Sequence, residues 1–211
     1  MKKIFFFSTA LLFNAALFAQ TYPEPEFSNE VYYLKKDNPY SLVRLEKNSA
    51  KPENKVNVIK GSEFGYEIDG KSSPVRFNSG SDISFIFSNG SSSSSSSNSK
   101  SDSVMRANGM DPNAFSSMMG GDPASMIILY KVNVDGNSRK IFMQKTGGYF
   151  GNHKNQSSDK YTFSLKKIRD GYWVMVVDKP LPKGEYAFSM TGMMSGADMS
   201  GSHTVFAFGI D

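Results

Sequence analysis

The sequence predicts an all-β protein, an antiparallel β-sandwich with a long disordered Ser/Met-rich loop insertion. Two observations carry that expectation. Short runs rich in Val, Ile, Phe and Tyr alternate with polar residues at period two, which suits a pleated, half-buried strand. Asp-Gly pairs at 69–70, 135–136 and 170–171 separate such runs, and these pairs adopt the positive φ of tight hairpin turns at little cost. After the N-terminal apolar run, no segment shows a capped 3.6-residue apolar period, so helix is expected for a turn or two at most.

The chain opens on Met1-Lys2-Lys3, an apolar run from Ile4 to Phe18, and Ala19-Gln20. A basic start, an apolar stretch of about 15 residues and a small residue at the junction form a secretory signal peptide, expected over residues 1–19 with cleavage after Ala19. The run falls short of the roughly 20 apolar residues of a membrane-spanning helix, and no cysteine follows it for a lipid anchor. Residues 20–211 are then expected as a single β-sandwich domain, exported to the periplasm or cell surface or secreted, with no membrane span in the mature chain. Removing residues 1–19 takes away Lys2 and Lys3 but no acid, so the net charge falls from +4 to +2. A near-neutral domain without a basic stripe argues against nucleic acid as a partner. With no cysteine in the chain, stability must come from packing, although an oxidising compartment permits disulfides.

Strands are expected at Glu30 to Leu34, Tyr40 to Lys47, Lys55 to Lys60, Glu63 to Ile68, Ser73 to Phe77, Asp82 to Phe87, Met126 to Val134, Arg139 to Lys145, Tyr161 to Ile168, Tyr172 to Val177, Gly184 to Thr191 and His203 to Ile210. In the last strand Thr204, Phe206, Phe208 and Ile210 share one face and Val205, Ala207 and Gly209 the other. Both faces are apolar or small, so this strand is expected to be central. Tyr172 to Val177 is the candidate for deepest burial, with Phe85, Phe87, Leu42, Leu45, Tyr186 and Phe188 completing the core. Residues 88–125 break the pattern with the serine run Ser91 to Ser97 and a Met/Gly/Asn/Pro stretch. Ser91 to Ser103 is expected to be a disordered loop, since such a segment buries too little apolar area to offset its ordering entropy. A boundary between two small domains is the alternative.

Methionine gives the most unusual local composition. Met190, Met193, Met194 and Met199 cluster beside His203, and soft thioethers with an imidazole select Cu(I), so these five residues form a candidate metal site. The plainer expectation is that Met190 closes a strand on its apolar side while the others line a loop that contacts a partner. Catalytic residues are not assigned. G-x-S-x-G and H-E-x-x-H are absent, and Ser97-x-x-Lys100 and Ser157-x-x-Lys160 fall in polar loops. Glu30, Glu46, Glu63, Glu67 and Glu185 alternate with apolar residues and read as outward faces of strands, although paired carboxylates of a polymer hydrolase are set by three-dimensional separation. Tyr22, Tyr32, Tyr33, Tyr40, Tyr149, Phe150 and Tyr172 are candidate stacking surfaces for a glycan or protein partner, or half-buried strand residues.

Ser73-Pro74-Val75-Arg76-Phe77, Leu181-Pro182-Lys183-Gly184-Glu185-Tyr186-Ala187-Phe188 and Phe206-Ala207-Phe208-Gly209-Ile210-Asp211 together resemble uncharacterised exported bacterial β-domain proteins, over about residues 60 to 211. The resemblance implies a β domain and an exported compartment, with no activity attached. The expected role is a non-enzymatic binding or structural protein of the cell envelope, with an envelope protein or glycan as partner. Cu(I) binding and envelope-polymer hydrolysis are the alternatives.

Overall fold

A computed structural model describes residues 21–57, 61–80, 82–89, 127–147, 157–190 and 202–211. Among them there is no helix. Thirteen strands run in chain order: β1 Glu30–Lys35, β2 Ser41–Arg44, β3 Glu46–Asn57, β4 Gly61–Asp69, β5 Arg76–Phe77, β6 Ser84–Ser88, β7 Ile127–Asp135, β8 Ser138–Gly147, β9 Lys160–Tyr161, β10 Phe163–Arg169, β11 Tyr172–Val177, β12 Gly184–Met190 and β13 His203–Ile210.

The expected all-β, antiparallel architecture is present, but the plain sandwich needs correction. One sheet is open, with strand order β10-β11-β6-β1-β2. In the other, the path β12-β13-β3-β4-β8-β7 returns to its start because β7 also pairs with β12. Six strands therefore close into a barrel, and the open sheet packs against its outside. The chain passes directly between the sheets where β2 runs into β3 through the buried Leu45 and where β9 runs into β10 through Thr162.

Alternation explains why β12 and β13 look central. Tyr186, Phe188, Phe206, Phe208 and Ile210 point outward from the barrel and meet Val31, Phe85, Phe87, Trp173 and Met175 of the open sheet. Phe85 is the hinge of this layer, with its ring centroid 4.8 Å from Phe188 and 5.1 Å from Phe208. Each such ring contributes roughly 1.5 to 3 kcal/mol by burial. The other faces of β12 and β13 carry Ala187, Val205 and Ala207, which line the barrel with Ala50, Tyr66, Ile68, Tyr130, Val132 and Ile141. Six strands enclose less room than the eight whose interior side chains just fill. Small residues on one wall therefore admit tyrosines from the other.

Near the close approach of β4 and β8 a bulge falls between Phe64 and Gly65. A methyl on Gly65 would lie 2.2 Å from the Ile141 carbonyl oxygen. Where β7 and β8 diverge, Ser158 fills the wedge. Its amide donates to the Phe142 carbonyl at 2.8 Å, and its hydroxyl accepts from the Phe142 amide at 2.9 Å and from the Asn133 side chain at 3.2 Å.

The far face of the open sheet has its own apolar layer of Tyr32, Leu34, Ile86, Tyr172 and Val174. Residues 21–28 run over it as a strap. Tyr172 donates its hydroxyl to the Pro23 carbonyl at 2.5 Å, the Phe27 amide donates to the Tyr32 hydroxyl at 3.1 Å, and Arg169 pairs with Glu24.

Two local expectations also change. The strands expected separately at Tyr40 to Lys47 and Lys55 to Lys60 become β2 and the continuous twelve-residue β3, which runs through Pro52. The described residues of β13 pair with β3 only as far as Ala50, and Pro52 pairs with Tyr66 of β4. Asp135 and Asp170 do sit at hairpin turns, joining β7 to β8 and β10 to β11. Asp69-Gly70 does not, because β5 leaves β4 and pairs in parallel with the end of β13. Except for Ser88 and Asn89, the expected insertion 88–125, with its serine run, lies outside the described residues.

Candidate functional site

Register places two different ends on the barrel. At one end lie the β7–β8 turn, the end of β4, the start of β3 and β12, and the end of β13. Here Arg139 of β8 is 1 % exposed inside the barrel. Its guanidinium grips Glu46 through both terminal nitrogens at 2.8 Å, and it donates to the carbonyls of Gly70 at 2.9 Å and Asp69 at 3.0 Å. Such a two-point Arg–carboxylate pair is the strong form of the interaction. Burial pushes the Glu46 carboxyl up, but hydrogen bonds from Arg139, Ser73 and Asn48 outweigh it and hold the group below its ordinary range.

Glu185 continues this network. Its carboxylate accepts from the Ser73 amide at 2.8 Å and from Arg76 at 2.5 Å, and lies 3.8 Å from Arg139. Arg76 turns its other nitrogens to Asp211 at 2.7 and 2.8 Å, and the hydrogen bond and charge of Arg76 lower the Asp211 carboxyl. A side chain at Gly209 would collide with this guanidinium, its Cβ falling 2.2 Å from the Arg76 Nη1. The three stretches that carry the resemblance, around Arg76, Glu185 and Asp211, thus meet in one ionic plug.

The outward placement expected of Glu30, Glu46 and Glu185 is therefore wrong. Glu46 and Glu185 face the barrel interior. Glu30 is 3 % exposed and binds Arg44 at 2.7 and 2.8 Å and Lys47 at 3.0 Å, tying β1 to the barrel strand β3. The acids alternate as expected, but cations reach them from strands distant in sequence. Desolvation raises the Glu30 carboxyl and the Arg44 and Lys47 hydrogen bonds more than reverse it, so it is lowered overall.

The opposite end collects the ends of β3, β8 and β12 and the starts of β4, β7 and β13. Half-buried His203 sits here with its Nε2 3.1 Å from the Tyr66 hydroxyl and the two rings edge to face at 4.7 Å. Phe64 packs edge-on to Tyr66 at 6.1 Å. Tyr130, 2 % exposed, has a buried hydroxyl without a hydrogen-bond partner. Burial raises both tyrosine hydroxyls, and the nearby Tyr66 adds to the effect on Tyr130. A buried polar atom left unpaired costs about 1 to 3 kcal/mol.

Of the five candidate Cu(I) ligands, Met190 and His203 are described, and Met193, Met194 and Met199 lie outside the described residues. Met190 is half-buried against the intersheet core, whereas His203 faces the barrel interior. The structure therefore puts these two on opposite faces of their sheet, and it partners His203 with phenols. Among the described residues no three of His, Asp and Glu gather as a metal cluster. Of the candidate stacking aromatics, Tyr32 and Tyr172 are buried, Tyr22, Tyr33 and Tyr40 are half-buried, and Tyr149 and Phe150 lie outside the described residues. No histidine pattern announced the Tyr66–Tyr130–His203 trio, but Tyr66, Tyr130 and His203 each share a strand face with small or aliphatic residues.

Fold and sites together define a class: an all-β protein built of a six-stranded barrel with a flanking sheet, with an ion-pair network at one end and the His203–Tyr66–Phe64 group at the other. Comparison with protein-family models, curated proteins and solved structures finds no match to this chain.

Proposed function

We propose that this protein is an exported, non-enzymatic binding module of the cell envelope whose binding end is the His203 mouth of the barrel. The observation that carries this reading is the chemical difference between the barrel ends. The plug end spends its charged groups on one another. The mouth presents a half-buried imidazole and an aromatic edge where six strand ends converge, and rigid scaffolds commonly display their ligand contacts at such convergences. The inward carboxylates favour a binding role over polymer hydrolysis, because a general acid needs a raised pKa and Glu46 is instead held ionised by Arg139. The basic start and apolar run at residues 1–18 support export.

The test is capture from envelope extract by immobilised protein, comparing wild type with a Phe64→Ala/His203→Ala mouth variant and with Asp211→Asn at the plug. A component held by wild type and Asp211→Asn but lost by the mouth variant is the expected result. Equal capture by all three, or none by wild type, removes the mouth as the binding end.

A further inference from the structure

We propose that the outer edge of β10 is a self-association surface, on which a second copy of this chain adds its own β10 antiparallel, so that the two open sheets run on as one. The surface belongs to the open sheet and not to the barrel mouth, so the inference goes beyond the binding reading above and does not depend on it.

Among the described residues β10 stands at the end of the open sheet, with β11 as its sheet neighbour. The ladder between the two fixes which backbone groups β10 leaves over. The Asp178 amide donates to the Thr162 carbonyl at 3.1 Å, whereas the Val177 amide turns the other way, to the Ile83 carbonyl at 3.1 Å. Thr162 and Asp178 stand one step beyond the pair Phe163 and Val177 in the same register, and in an antiparallel ladder hydrogen-bonded pairs alternate with non-bonded ones. Ser164 and Lys166 therefore bond to β11, while the N–H and C=O groups of Phe163, Leu165 and Lys167 point out from the edge. Such a row is a template for one more strand. It ends at the bulge that follows Lys167.

Side chains select the occupant. On one face of β10, Phe163 and Leu165 are half-buried against the intersheet core. On the other face Lys166 is exposed and forms no ion pair among the described residues, and the exposed Ser164 donates its hydroxyl to Asp178 at 2.7 Å. Lysine at an edge ordinarily repels an added strand, and a two-fold axis through Lys166 would set that residue against its own copy. An axis through Leu165 does not. It pairs Leu165 with itself, Phe163 with Lys167 and Ser164 with Lys166, so every outward residue finds a hydrogen-bonding partner. Each Lys166 then lies across from a Ser164 whose hydroxyl rests on Asp178, within the diagonal reach of a long side chain. The two copies exchange a Lys166–Asp178 contact in each direction. Because the same patch serves both copies, association closes at a dimer. At the far edge of the sheet β2 offers only four residues.

Sedimentation velocity of the purified protein over a concentration series should show a monomer–dimer equilibrium. Lys167→Pro removes an N–H that the β10–β11 ladder does not use, a position at which edge strands accept proline. It should weaken dimerisation by at least about tenfold and leave the melting temperature of the dilute monomer nearly unchanged. Lys166→Glu should weaken dimerisation as well, and Lys166→Glu/Asp178→Lys, which reverses both partners of the contact, should restore it. If Lys167→Pro fails to fold, the charge-reversal pair decides. A wild type that stays monomeric throughout the series overturns the surface, and so does a dimer that neither Lys167→Pro nor Lys166→Glu weakens.

Discussion

Arg139 is the residue on which the closed end of the barrel depends. Replacing it with Ala leaves Glu46 ionised in a half-buried place without its main cation, and breaking such a pair from one side costs up to about 3 kcal/mol. Urea unfolding of Arg139→Ala should show a loss of that size, whereas Lys51→Ala, which breaks an exposed pair with Asp69, should leave the midpoint nearly unchanged. Glu46 also sets an acid limit. Its folded-state pKa lies below the ordinary 4.5, so its contribution is fully present above that value and is lost as pH falls through the lower folded one. Glu46→Gln should therefore be less stable at neutral pH and show a flatter stability profile below about pH 4.5, measured as melting temperature against pH. The sequence reading placed both Glu46 and Glu185 outward. Glu185 shares its strand face with Ala187 and Ser189, small residues that suit either side of a sheet. Its partners Arg76 and Arg139 were not readable, because nothing along the chain says which strand lies opposite.

Among the elements, period-two alternation was a faithful guide wherever a strand has one apolar face or two. The limits of β11 and β13 match expectation, and so does the division of β13 into two faces. Alternation failed for β3, whose run of charges and Pro52 hides a strand held chiefly by backbone pairing. It also failed at Asp69-Gly70, where a good turn signal does not join two paired strands. Glycine tests the sheet geometry directly. Gly65→Ala drives a methyl into the Ile141 carbonyl and should cost about 2 kcal/mol or more. Gly136→Ala meets open space and strains only a turn with φ of 63°, for about 1 kcal/mol. Thermal unfolding of the pair should rank them in that order. The strap gives a further check. Tyr172→Phe removes its hydrogen bond to Pro23, should cost about 1 kcal/mol, and should speed amide exchange over residues 21–28 ahead of the barrel strands.

For the whole molecule, the sequence showed that strands form but not that six of them close, because closure is a matter of which edges meet. β12 pairs with β13 on one side and β7 on the other, and neither contact has a local signature. The mouth trio was unreadable for the same reason: Tyr66, Tyr130 and His203 come from β4, β7 and β13. The placement of β13 also governs when the molecule can fold. It lies between β12 and β3, so it joins residues 184–189 to residues 46–50, and Asp211 beyond it holds Arg76. Without residues 203–211 the barrel is an open sheet with two bare edges, and Arg76 keeps Glu185 but lacks Asp211. Closure of the barrel therefore waits on one strand, β13, whichever order the others form in.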